Sequence, residues 1–445
     1  MKNHYPLILN YKPEAPLIYD KGRWLTQGEL LTSALQLAEL IPQNAYVINF
    51  CSERYYFLLT FMAVLIRNST NILPHNKQLE TVAEIVADFP SALCIVDHDR
   101  CPSSQYLDLR QQPLRTDSPL VVSGEITPPF IPFSHVAAIA FTSGSTGKPK
   151  PQEKHWQSLA GAAQLLGERF NTYQTLPCIT ATTPSQHMYG LEMTVMMSLQ
   201  AGCCLNSEHP FFPQDVKASL AKIPTPVMLV TTPVHLRALL GSGLDFSAIN
   251  HIVCATAPLD QEQALLAEKN YGCVLNEIYG CTEAGSLATR RSSAELQWQL
   301  LDGVTLQQEA EQFFVSGPQL LEPKALSDQL AIHTDATFSL LGRSSDMLNI
   351  GGKRSSLLEL NKKLLQVEGV EDGVVFLPSA EDGKRPAAFV VSERSQRDIV
   401  KALAEKIDPV FLPRPLRKVQ ALPRNESGKL LVQQLNKLLE QTAVK

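Results

Sequence analysis

Thr26 stands three residues before Glu29, and Leu30, Leu31, Leu35 and Ala38 follow at helical spacing. That pattern predicts a helix whose first turn is closed by a reciprocal capping box. After it come an apolar run at Ala45 to Phe50, a helical stretch at Glu53 to Arg67, a second at Gln78 to Asp88, and another apolar run at Ala92 to Asp97. Short apolar runs alternating with amphipathic stretches predict α/β layering. Arg100 to Ser134 is rich in Pro, Ser, Asp and Gln and reads as a connecting segment. The alternation resumes with Ala137 to Phe141, Pro226 to Thr231, the helical Val234 to Leu240, His251 to Cys254, and Leu275 to Tyr279. From Gly342 the chain becomes a shorter, charge-rich unit, with helices predicted at Ser356 to Val367 and Ser395 to Ile407 and strands at Gly373 to Leu377 and Ala387 to Val391. The expected architecture is α/β: a large N-terminal domain of layered sheets over 1–343 and a small, mobile C-terminal α+β domain over 344–445.

Composition narrows this picture. The 445 residues allow two or three packing units. With 44% hydrophobic and 19% charged residues the chain is that of a folded globular protein. A formal net charge of −5 supplies no positive field for nucleic acid, so any anion must be held locally. The longest apolar run, Tyr55 to Ile66, is too short to span a bilayer and is bracketed by Arg54 and Arg67, which predicts a core helix. Met1 to Asn10 carries no signal-peptide pattern. Nine cysteines without a C-x-x-C pair, two of them adjacent at Cys203 and Cys204, fit reduced thiols and a cytoplasmic protein.

The sharpest chemical feature follows the run Ala137 to Phe141. In Thr142-Ser143-Gly144-Ser145-Thr146-Gly147-Lys148-Pro149-Lys150, two glycines and four hydroxyl side chains let backbone and side chains approach phosphate oxygens, and Lys148 and Lys150 add positive charge. The run reads as a triphosphate cradle. It is not a Walker A loop, because Pro149 stands where that motif needs Ser or Thr.

Three later segments accompany the loop: Asn276-Glu-Ile-Tyr-Gly-Cys-Thr-Glu283, Gly342-Arg-Ser-Ser-Asp346 through Gly352, and Pro423-Arg-Asn-Glu-Ser-Gly-Lys429. In this order and at these distances they resemble the adenylate-forming superfamily of acyl- and aryl-CoA synthetases, adenylation domains and luciferases, and the likeness covers nearly the whole chain. The resemblance implies an ATP- and Mg²⁺-dependent ligase that converts a carboxylic acid to its acyl-AMP and then passes the acyl group to a thiol. It casts Glu283 as the magnesium-linked carboxylate, Thr282 as an α-phosphate contact and Tyr279 as the ring stacked on adenine, with Gly280 and Cys281 beside the acyl group. Ala255 and Thr256 occupy the place of an adenine-lining Gly-Gly-Ala-Pro stretch. Asp335 matches a ribose-binding aspartate, although Thr334 replaces the usual glycine before it, and Arg343 matches a ribose or phosphate contact. Lys429 would bridge carboxylate and ATP during adenylation. The smaller domain would swing between half-reactions about Gly342 to Asp346, where Ser345 takes the place of the usual hinge Asp or Lys.

His187-Met188-Tyr189-Gly190 resembles the superfamily's acyl-pocket segment, with His187 facing the substrate carboxylate. Amino-acid-activating relatives carry an aspartate where Met188 stands, and a thioether cannot offset a buried ammonium. Amino acids are therefore disfavoured. A ring wall at Tyr189 and space at Gly190 suit a flat aryl acid such as hydroxybenzoate, while a fatty acid stays open. The short stretch between Gly317 and His333 is similar to that of compact aryl acid ligases of aryl polyene and xanthomonadin-type pathways. The acceptor, coenzyme A or the phosphopantetheine of an acyl carrier protein, is the same thiol either way. A nucleotide-binding relative without turnover is the second class of function.

Overall fold

The structure is a computed structural model, and it describes residues 3–112, 114, 126–142, 150–223, 226–343, 346–350, 352–378, 385–424 and 430–443. Local rules set its elements. Thr26 accepts from the Glu29 backbone N–H at 3.2 Å while the Glu29 carboxylate accepts from the Thr26 N–H at 2.7 Å, so helix Gln27–Glu39 starts on the predicted capping box. Helix Arg54–Ile66 is apolar on every side and is buried from Arg54 through Leu65. No helix among the described residues is long and apolar enough to cross a membrane.

The chain divides into two compact units, the first formed by Met1–Glu295, Leu300–Val304 and Ser316–Pro323. One of its sheets has the strand order Lys150–His155, Val136–Thr142, Thr70–Leu73, Tyr46–Asn49, Leu93–Val96, Tyr106–Asp108, parallel throughout except for the antiparallel first pair. The last of these strands lies inside the stretch read from sequence as a connector. It is three residues long at a sheet edge, and backbone pairing with Leu93–Val96 rather than an apolar pattern makes it a strand.

A second, larger sheet has in this unit the strand order Gly285–Arg290, Val274–Cys281, Ile249–Cys254, Val227–Thr231, Cys178–Ala181, Cys204–Asn206, Pro16–Asp20, Arg23–Thr26. Its inner pairs are parallel and its outer pairs antiparallel. Helices pack against its central strands through Leu229, Leu236, Ile252, Ala264, Ala267 and Leu275, all buried. Arg54 fastens the two sheets together: its guanidinium donates to the carbonyls of Ala181, Thr183, Asn206 and Glu208 and to Ser185 Oγ, at 2.6 to 3.3 Å. Burial lowers its pKa to about 10, and five neutral acceptors hold the charge.

The second unit comprises Leu296–Gln299, Thr305–Val315 and Lys324–Lys445. It contains the antiparallel hairpin Asp328–Thr334 and Thr337–Arg343, and a three-stranded sheet of Val370–Phe376, Ala387–Ser392 and Leu416–Lys418. Helices Leu357–Leu365 and Gln396–Ala404 bury Leu360, Leu364, Ile399 and Leu403 against that sheet. Arg343 lies within this unit, because its strand pairs with Asp328–Thr334 and Gly342 packs on Ser356.

Candidate functional site

Strands Cys178–Ala181, Val227–Thr231, Ile249–Cys254 and Val274–Cys281 run parallel, so the segments that follow them leave from one edge of the sheet. Ligands collect at the carboxyl ends of such strands. His187 to Gly190, Ala255 and Thr256, and Thr282 and Glu283, taken from the sequence as site residues, fall on these segments, and Tyr279 to Cys281 form the end of the last strand.

His187 is the N-cap of the short helix Met188–Leu191, and His187, Met188 and Tyr189 are half-buried. The Tyr189 hydroxyl donates to the carbonyls of Thr231 at 3.2 Å and Val253 at 2.7 Å, which pins its ring across the ends of two neighbouring strands. Burial pushes the phenol well above its ordinary pKa, so the hydroxyl stays protonated and available for those bonds. Gly190 is forced by packing: a Cβ there would stand 1.9 Å from the Pro184 carbonyl oxygen.

The loop Ala255 to Leu259 is tied to the neighbouring strand by Glu277, 2% exposed, whose carboxylate accepts from the Leu259 N–H at 3.1 Å, from Arg290 Nε at 2.7 Å, and from Ser292 Oγ. Ala255 is buried, and Thr256 holds φ at +83°, a region that β-branched residues avoid. Tyr279, 8% exposed, lies on the same strand as Glu277.

Thr282 and Glu283 form the turn between Val274–Cys281 and Gly285–Arg290, with Thr282 half-buried and the Glu283 side chain exposed. Cys281 is half-buried beside them, and Gly280 approaches Gly285 so closely that a Cβ would stand 2.3 Å from its carbonyl oxygen. Two residues that sequence reasoning passed over hold this turn. Lys154 Nζ donates to the Thr282 carbonyl and, at 3.3 Å, to that of Glu283. Glu192, 3% exposed, accepts from Ser286 Oγ at 2.5 Å. Burial raises the Glu192 pKa, opposed by the Ser286 hydrogen bonds and by the Lys154 charge. Glu192 opens a π-helical stretch, Glu192–Met196, and irregularities of this kind often mark functional sites. Its signal in the sequence is a single charge inside an otherwise uncharged run from Tyr189 to Ala201.

Among the described residues no three His, Cys, Asp or Glu side chains gather to hold a metal ion. One exposed carboxylate suits Mg²⁺ all the same, since that ion is commonly held by one or two carboxylates together with substrate phosphates and water. The space left by Gly280 and Gly285 keeps backbone close at the strand end beside it.

Thr142 ends strand Val136–Thr142 and is the register partner of Lys150, exposed at the start of Lys150–His155. The stem of the glycine-rich run is therefore an antiparallel pair, while Ser143, Gly144, Ser145, Thr146, Gly147 and Lys148 lie outside the described residues. In the second unit, Asp335 sits exposed in the turn between Asp328–Thr334 and Thr337–Arg343, and the Arg343 side chain is 68% exposed with Nε 3.9 Å from Asp328. Ser345 and Lys429 also lie outside the described residues. Five residues before Lys429 in the sequence, Arg424 grips Asp372 on strand Val370–Phe376 at 2.8 Å.

Two family profiles match this chain: AMP-binding enzyme over residues 9–306 and AMP-binding enzyme C-terminal domain over residues 359–429. A 4-coumarate–CoA ligase of Halorhodospira halophila is 27% identical over 305 residues, covering 66% of this chain and 75% of its own. A 2-succinylbenzoate–CoA ligase of Bacillus mycoides is 26% identical over 345 residues, covering 68% and 70%. The o-succinylbenzoate coenzyme A synthetase MenE of Bacillus subtilis, solved with ATP and magnesium ion, superposes with a TM-score of 0.82 at 18% identity, covering 97% of this chain and 99% of that one.

Proposed function

This chain belongs to the AMP-binding enzyme family, and from that premise we propose that it is an ATP-dependent, AMP-forming acid–thiol ligase acting on an aryl carboxylic acid. One observation carries the reading: the Thr282–Glu283 turn, the Ala255–Leu259 loop and the pinned Tyr189 ring stand at the carboxyl ends of adjacent strands. A carboxylate and a nucleotide received at that edge would lie side by side.

In the first half-reaction a carboxylate oxygen of the acid attacks the α-phosphorus of ATP. The bond to the β-phosphate bridging oxygen breaks, and pyrophosphate leaves with the electron pair. In the second, a thiol sulfur attacks the acyl carbonyl, its proton goes to solvent, and AMP departs. Magnesium, when bound, neutralises phosphate charge. Glu283 is the side chain that would hold it, with Thr282 at the α-phosphate. Thr142 to Lys150 would cradle the remaining phosphates, Tyr279, Ala255 and Thr256 the adenine, and Asp335 and Arg343 the ribose. His187 would donate to the substrate carboxylate, and Lys429, on a lid swinging about Gly342 to Asp346, would bridge it to ATP.

An aryl acid is favoured because the Tyr189 ring is held in place by its hydroxyl and offers a flat wall; the space expected at Gly190 is instead taken by the Pro184 carbonyl, 1.9 Å from where a Cβ would stand. The names of the relatives, 4-coumarate and 2-succinylbenzoate ligases, point the same way. Those names carry coenzyme A, which makes it the first acceptor to test and a carrier-protein phosphopantetheine the second. Nine free cysteines, seven of them buried, suit the reducing cytoplasm.

Acid-dependent ATP–pyrophosphate exchange across a panel of aryl and alkyl acids tests the reading, with AMP as the nucleotide product. Exchange is expected with aryl acids, and Lys429→Ala is expected to abolish it while thioester formation from supplied acyl-AMP survives. Nucleotide binding without exchange for any acid would leave a binding protein instead, and ADP as product would refute adenylation.

A further inference from the structure

Lys154 lies on Lys150–His155, the strand that returns from the glycine-rich run, and is 4% exposed. An ammonium at that depth is costly unless its hydrogens are used. They are used on backbone: Nζ donates to the consecutive carbonyls of Thr282 and Glu283. Strand Lys150–His155 belongs to one sheet of the first unit and the turn to the other, so the contact crosses between sheets. Four residues before Lys154, Lys150 pairs with Thr142 and closes the stem of the run. At the end of the turn, Glu192 holds Ser286, and a Cβ at Gly285 would stand 2.6 Å from its Oε1. The turn from Thr282 to Ser286 is thus held by the Lys154 ammonium at two backbone carbonyls and by the Glu192 carboxylate at Ser286, while Glu283 is left exposed.

We propose that Lys154 is a positioning residue, which ties the Thr282–Glu283 turn to strand Lys150–His155 and so sets where the exposed Glu283 carboxylate meets the nucleotide phosphates. The inference rests on the nucleotide role proposed above for Glu283. A lysine suits the task because its compact ammonium carries three donors on a flexible stem and can serve two adjacent carbonyls. A buried methionine of similar length would fill the space and leave both carbonyls without that donor.

The test compares wild type, Lys154→Met and Lys154→Arg as full chains, by calorimetric titration with a methylene analogue of ATP that cannot be cleaved between the α- and β-phosphates. Each titration is run once in excess magnesium and once in excess EDTA. Lys154→Met is expected to bind the analogue in EDTA within about threefold of wild type but to lose about tenfold in the tightening that magnesium brings, with partial recovery in Lys154→Arg. In the exchange assay kcat should fall while KM for the acid holds within about threefold, because no acid contact is touched. If Lys154→Met does not melt cooperatively, Lys154→Gln, which keeps a neutral donor, takes its place with a smaller loss expected in the same direction. Unchanged magnesium tightening in the folded variant overturns the proposal, as does a loss confined to the KM for the acid. Wild type that binds the analogue more tightly with magnesium yet shows no acid-dependent exchange removes the ligase reading, and the titration still decides the role of Lys154. Wild-type binding that ignores magnesium overturns that role.

Discussion

Thr256 keeps φ at +83° in a loop where relatives by resemblance carry glycine. A β-branched residue there costs on the order of 1–3 kcal/mol, and such strain persists where the surroundings over-determine it. Thr256→Gly is therefore expected to stabilise the chain by about 1 kcal/mol in urea unfolding, net of the backbone entropy that glycine adds. A loss of stability would mean that the threonine side chain contributes more than its backbone costs. Residues at this scale divide by the kind of signal they carry. Tyr279, Thr282 and Glu283 are legible because they sit in a contiguous motif. Lys154 and Glu192 are not, because their partners are the carbonyls of Thr282 and Glu283, 128 and 129 positions away, and Ser286, 94 positions away.

The helical segment from Met188 shows how an element converts local sequence into pocket shape. It begins directly after the loop that follows strand Cys178–Ala181, and Gly190 lets its first turn close down onto the Pro184 carbonyl. Gly190→Ala places a methyl where only hydrogen fits, and the forced shift is expected to cost about 2 kcal/mol or more. Urea unfolding measures that cost, and the shift should also displace the Tyr189 ring and raise KM for an aryl acid. An unchanged midpoint together with unchanged KM would show that the turn gives way without consequence. The helices at Thr26 and Arg54 were legible from a capping box and an unbroken apolar run. The strand Tyr106–Asp108 was not, since three residues at a sheet edge take their conformation from the neighbour they pair with.

Across the first unit, several histidines are held neutral. Burial, then the positive charges of Arg54 and Lys77, push His209 down to about 3, and its Nε2 donates to the Thr182 carbonyl at 3.1 Å. Burial lowers His235, His251 and His135 as well. The unfolded chain takes up protons on these rings near pH 6.5 while the folded chain does not, so their contribution is fully present above that pH and is lost as pH falls below it. Unfolding midpoints should be level above pH 7 and decline on the acid side, and His209→Gln should make the decline shallower. A midpoint that rises on acidification would contradict the assignment of neutral rings.

The α/β layering, the family and the positions of the motif residues are determined by the sequence alone, because periodicity, caps and contiguous motifs are properties of neighbours along the chain. Tertiary structure decided which charges are buried and what they hold: Arg54 between the sheets, Glu277 under the Ala255–Leu259 loop, Lys154 and Glu192 around the turn at Thr282 to Gly285. The physical reason is that a buried charge is tolerated only where distant segments bring it donors or acceptors, and those partners exist only once the chain has folded.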